Sequence, residues 1–175
     1  MDQTGDEQAV AQLREALAEA VRRLDAAGAR DEALAVFVPR HRRMLITREA
    51  VLEPAGRVWR LGVLLLDRES NLFATGSITR ATEPGRPAYQ SLSAETRREY
   101  RAAAQRGHFE HGETVNYDAA PIDVDAASLR ASTGPLLLRD GRTLVKWSAT
   151  AEGTVDFAAY LSERVGLLTD PPQGA

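Results

Sequence analysis

Arg57-Val58-Trp59-Arg60-Leu61-Gly62-Val63-Leu64-Leu65-Leu66 and Leu72-Phe73-Ala74-Thr75-Gly76-Ser77-Ile78-Thr79-Arg80 flank the polar run Asp67-Arg68-Glu69-Ser70-Asn71. Two apolar runs around a short polar connection predict a β-hairpin. Successive strand side chains point to opposite sides. In the second run Leu72, Ala74, Gly76 and Ile78 therefore share one face, and Phe73, Thr75, Ser77 and Thr79 the other. One face is apolar and the other mostly hydroxylic, which suits an antiparallel sheet covered on one side.

Upstream of this hairpin, Met44-Leu45-Ile46 and Ala50-Val51-Leu52 are short strand-like runs, and Pro54-Ala55-Gly56 supplies turn chemistry. The segment Asp6–Ala27 places Val10, Leu13, Leu17, Val21 and Leu24 on one stripe, predicting an amphipathic helix that Gly28 ends. Asp31–Val38 is expected to add a helical turn or two before Pro39. Downstream, Glu83-Pro84-Gly85-Arg86-Pro87 reads as a loop, and a helix is expected from Ser93 to about Arg106, closed by Gly107. Thr114–Tyr117 reads as a strand. Leu136–Leu138 and Thr143–Val145 form a second hairpin through Asp140-Gly141, a strong tight-turn dipeptide. A last helix is predicted over Thr154–Val165, ending at Gly166. Hairpins interrupted by helices, without regular βαβ alternation, define an α+β chain. The expectation is one domain over 1–175 with loose ends at about 1–6 and 169–175. It is mainly an antiparallel sheet of hairpins with an N-terminal, a middle and a C-terminal helix.

Composition narrows the chemistry. The chain has 175 residues, 43% hydrophobic and 27% charged, which excludes a largely disordered polymer. It has no cysteine, excluding disulfides, thiolate nucleophiles and cysteine metal sites. A net charge of -3 and a pI near 5.7 argue against nucleic acid as a partner. The acidic start Met1-Asp2-Gln3-Thr4-Gly5-Asp6-Glu7 has neither the basic nor the apolar region of an export signal. Leu61–Leu66 is far shorter than the roughly 20 residues a membrane helix needs. A cytoplasmic location without membrane contact is the expectation. Lys146 is the only lysine beside many arginines, and a lysine can be tuned as a base where arginine stays charged.

The densest basic segment is Pro39-Arg40-His41-Arg42-Arg43, followed by Arg48, Arg57 and Arg60, against only Glu49 and Glu53. Guanidinium forks suit phosphate and carboxylate, so Arg40, Arg42, Arg43 and Arg60 are the candidate ligand-binding residues for a small anionic molecule or a protein partner. Residues 107–127 carry Glu110, Glu113, Asp118, Asp123 and Asp125 without Lys or Arg. The two segments can meet within one molecule or across a homodimer. His108-Phe109-Glu110-His111 imitates metal-ligand spacing, but Gly107 and Gly112 bracket it, so a turn is expected there and no metal. No G-x-S-x-G, S-x-x-K, G-x-G-x-x-G or P-loop is present, and no cofactor is expected. Thr143 and Lys146, three apart on a strand, point to opposite faces and cannot act as nucleophile and base together.

Gly56–Leu66 and Gly112-Glu113-Thr114-Val115-Asn116-Tyr117-Asp118-Ala119, with the hairpin up to Trp147-Ser148, resemble a set of short, uncharacterised proteins of high-GC Gram-positive bacteria that often carry an automatic glutaminase label. The resemblance covers nearly the whole chain. It implies a hydrolase of amidohydrolase type converting glutamine to glutamate and ammonia. Leu72–Thr79 is similar to the strand-end motif of asparaginase/glutaminase enzymes, in which a threonine is the nucleophile. That likeness implies Thr75 in this role, Tyr89 as the second catalytic residue and Thr114 within the second motif. The second motif lacks its Thr-Asp pair here, and Gly-Ser-Ile stands for Gly-Gly-Thr. Lys146 becomes a candidate base if the final hairpin packs beside the strand carrying Thr75.

Overall fold

The structure is a computed structural model that describes residues 3–43, 46–83, 92–148 and 153–171; the side chains of Gln3, Arg43, Leu92 and Ser93 lie outside that description. In chain order the elements are α1 (Gln3–Ala26), β1 (Glu32–Val38), β2 (His41–Arg43), β3 (Ile46–Arg48), β4 (Val51–Leu61), β5 (Leu64–Leu66), β6 (Leu72–Ala74) and β7 (Ser77–Arg80). There follow α2 (Leu92–Arg106), β8 (Thr114–Tyr117), β9 (Ala120–Ile122), α3 (Ala126–Ala131), β10 (Leu136–Arg139), β11 (Arg142–Val145), β12 (Val155–Asp156) and α4 (Phe157–Thr169). The fold is α+β, with the N-terminal, middle and C-terminal helices in place. No described helix is long and apolar enough to cross a membrane.

The chain gathers into two compact units, each with its own apolar core. The first comprises Met1–Asp31, Trp59–Thr75 and Ala120–Ala175. Its sheet takes the end of β4, then β5, β6 and β9 in that order, all antiparallel. A second, three-stranded sheet runs β10-β11-β12. Helix α1 buries Val10, Leu13, Leu17 and Leu24 in a core shared with Trp59, Leu64, Leu129 and Phe157. The stripe recurs every three or four residues, so one face of the helix is apolar along its length. Gly28 (φ 59) ends α1 in a Schellman motif: Ala29 N–H donates to Leu24 O at 2.9 Å and Gly28 N–H to Asp25 O at 3.0 Å. Trp59 Nε1 then donates to Ala29 O at 3.0 Å, while Arg68 lies over the Trp59 ring and bonds Asp31 and Asp25. The end of the helix, the strand and the hairpin turn are thereby tied at one place.

The second unit comprises Glu32–Val58 and Gly76–Ala119. Its strand order is β7-β8-β1-β4, with β1 parallel to β8 and the other pairs antiparallel. Ala103 and Ala104 bring α2 close to Ala33, Ala35, Leu52 and Val115. Tyr100 stands between Phe37 and Tyr117 with ring centroids 5.0 and 4.7 Å away. Strands β2 and β3 form a separate two-stranded hairpin.

Several local expectations change. Glu32–Val38 is a strand, not a helical turn: β1 lies between β4 and β8, and the pairing of Val36-Phe37-Val38 overrides the helix preference of Glu-Ala-Leu-Ala. The run 57–66 is cut by a turn at Gly62 (φ 68), around which Leu61 pairs Leu64. The run 72–80 divides at Thr75-Gly76, because β6 pairs β9 whereas β7 pairs β8. Ile78, expected on the apolar face, is 57% exposed. Helix α4 begins only at Phe157, where Asp156 accepts the N–H groups of Ala158 and Ala159, and it runs through Gly166 to Thr169. The Asp140-Gly141 turn has both residues at positive φ, 49 and 68, as a type I′ hairpin requires. Met44-Leu45, Pro84–Pro87 and residues 172–175 lie outside the described residues.

Candidate functional site

The site is built in the first unit from two strand ends. Tyr160 on α4 donates its hydroxyl to Leu61 O at 2.9 Å and accepts Val63 N–H at 3.0 Å. Leu61 O and Val63 N–H, on either side of Gly62, are thus both satisfied by one buried hydroxyl. Val63 O in turn accepts Thr75 N–H at 3.1 Å, fixing the residue that follows β6. Across from it, Lys146 N–H donates to Pro135 O at 2.8 Å, which carries the β10–β11 ladder one step further.

These ends line an open cavity of about 290 Å³ whose lining includes Val63, Thr75, Thr133, Lys146, Trp147 and Ser148. Lys146 is half-buried and, among the described residues, has no carboxylate within ion-pair distance. Trp147 is 52% exposed, a large apolar surface beside the cavity mouth. The lining therefore includes one cation, the hydroxyls of Thr75 and Thr133, and an aromatic face. Thr133 and Trp147 were not singled out as site residues by the sequence; the signal that could have found Trp147 is its place next to the only lysine.

The other sequence candidates fall elsewhere. Thr114 opens β8 in the second unit, opposite Arg80. Tyr89 lies outside the described residues. Arg40 forms an exposed ion pair with Glu49 at 3.3 Å. Arg42 is exposed on β2 opposite Thr47, and the backbone of Arg43 pairs Ile46. Arg60 pairs Leu65 on the part of β4 that belongs to the first unit, so the four arginines do not form one site within either unit. Arg57 bonds Glu113, whose other carboxylate oxygen accepts Glu110 N–H at 3.1 Å. One contact between the basic and acidic segments is therefore made inside the molecule. His108 (φ 61) and His111 occupy the turn region after α2. Among the described residues no three His, Asp or Glu side chains group as a metal set.

Two carboxyl or phenol groups are shifted by their surroundings. Asp125, the N-cap of α3, is held below its usual range by hydrogen bonds from the Ser128 backbone and hydroxyl, with the Arg14 charge adding to them. Tyr117 is pushed up, first by its burial. Neither lies in the Lys146 cavity. No family model, curated protein or solved structure matches this chain.

Proposed function

We propose that the chain binds a small anionic molecule, of the carboxylate or phosphate class, in the Lys146 cavity. The observation that carries the reading is the half-buried Lys146 without a carboxylate partner among the described residues, lining a cavity with Thr75, Thr133 and Ser148. An ammonium in such a place gains most from an anion that also accepts hydroxyl hydrogen bonds. Trp147 supplies an apolar surface for the carbon skeleton of the ligand. The test is thermal unfolding with glutarate, glutamate or inorganic phosphate at constant ionic strength. A ligand that binds only the folded chain raises the melting temperature in a saturable way, and Lys146→Met abolishes that rise. Equal shifts in both proteins reject the reading.

A second reading, a glutaminase-type amidohydrolase, is favoured by one specific observation: Thr75 and Lys146 line the same cavity. In that reading Lys146 is a neutral amine, and its Nζ takes the hydroxyl proton as Thr75 Oγ attacks the amide carbon. The same proton passes to the departing ammonia, and water then hydrolyses the ester. Saturable ammonia release from glutamine that disappears in both Thr75→Ala and Lys146→Met supports it, and release that survives both rejects it.

A further inference from the structure

We infer that the first unit holds a second, separate ligand site, for an α-amino acid or another small zwitterion, between Arg14 on α1 and Asp123 just after β9. The two side chains line one cavity of about 370 Å³ together with Leu17, Phe73, Ile122 and Val124. That volume is in the range of small-molecule sites, roughly 300–1,000 Å³.

Charge arrangement selects the ligand. Arg14 Nη2 donates to Val124 O at 2.5 Å, which fixes the guanidinium at the rim while leaving N–H donors for another acceptor. Among the described residues, Arg14 and Asp123 form no ion pair with each other or with any third group, although both face the same space. The Arg14 charge also acts on Asp125, whose Oδ1 accepts the Ser128 N–H at 2.9 Å. A simple anion placed on Arg14 is repelled by Asp123, and a simple cation placed on Asp123 is repelled by Arg14. A molecule carrying both charges satisfies both ends. The side chain of such a molecule then lies on the apolar walls, which include Leu17, Leu72 and Ile122, the last two paired across β6 and β9. Ser70 (φ 65) and Asn71 add polar groups at the margin, where the Asp67 carboxylate orders the turn by accepting Glu69 and Asn71 N–H groups.

Isothermal titration with L-leucine, L-phenylalanine and L-methionine tests the inference on the full chain, alongside N-acetyl-leucine and leucinamide, which each lack one charge. The expected result is saturable binding of at least one free amino acid. Its affinity falls about tenfold or more in Arg14→Gln, in Asp123→Asn, and with either singly charged analogue, as loss of a charge-assisted hydrogen bond requires. The losses in Arg14→Gln and Asp123→Asn separate the site from the Lys146 cavity, which neither residue lines. Both Arg14 and Asp123 are exposed, and an unchanged melting temperature verifies that the variants fold. Absence of saturable binding by all three amino acids overturns the inference. So does equal binding of the singly charged analogues, or binding indifferent to both substitutions.

Discussion

Tyr160 closes directly over Gly62. The tyrosine hydroxyl bridges Leu61 O and Val63 N on either side of that glycine, and a Cβ at position 62 would stand 2.1 Å from the same oxygen. The turn thus needs glycine twice, for its φ of 68 and for the space the phenol occupies. The relationship reaches the Lys146 cavity, because Val63 O is the acceptor that holds Thr75 N–H.

Gly62→Ala is therefore expected to destabilise the fold by about 2 kcal/mol or more, from left-handed strain plus displacement of Tyr160. Tyr160→Phe is expected to cost roughly 1–3 kcal/mol, since it strands a buried carbonyl and a part-buried N–H. Urea unfolding measures both; midpoints equal to wild type would show that the turn is held by other means.

Gly76→Ala acts on the second unit. A Cβ there would meet the backbone of Asp118 at 2.2 Å, and backbone cannot swing aside as a side chain can. The expected loss is roughly 1–3 kcal/mol, read from the same unfolding curves. An unaltered midpoint would mean that the approach of residues 76 and 118 is not needed for stability.

Asp125 gives a pH signature. Its carboxyl is held low in the folded chain by hydrogen bonds from Ser128, so its contribution is complete above the ordinary carboxylate pKa of 3.8 and is lost as pH falls through the lowered folded value. Asp125→Ala is expected to lower the melting temperature at pH 7, with the difference from wild type shrinking as pH falls below 3.8. A difference that persists undiminished in acid would indicate that the charge plays no part.

Much of this fold is legible in the residues, and the exceptions have physical causes. The α1 stripe and the Asp140-Gly141 turn are local signals, decided by periodicity and by backbone conformation over a few residues. The strand β1 is not local. Glu32-Ala33-Leu34-Ala35 has helix-forming composition, and only pairing with β4 and β8 makes it a strand. The same holds for the short β9 and α3, which are too brief for periodicity to register. At the site, chemistry made Lys146 conspicuous as the only lysine, and Thr75 entered through a family resemblance. That the two line one cavity depends on Val63 O and Pro135 O, acceptors distant in sequence that no pattern of side chains announces. The arginine-rich segment was conspicuous for density alone, and pairing with Glu49 and Glu113 uses part of its charge.

A single lysine also makes the central claim directly measurable. In protein labelled with ¹³C only in lysine, the Cε resonance arises from Lys146 alone. Titration with glutarate or phosphate at fixed pH and ionic strength is predicted to move that resonance along a saturating curve that free lysine does not follow. Addition of Thr75→Ala or Trp147→Ala is predicted to weaken the titration. A resonance that drifts linearly with anion concentration, matching free lysine in the same solutions, would contradict anion binding in the Lys146 cavity.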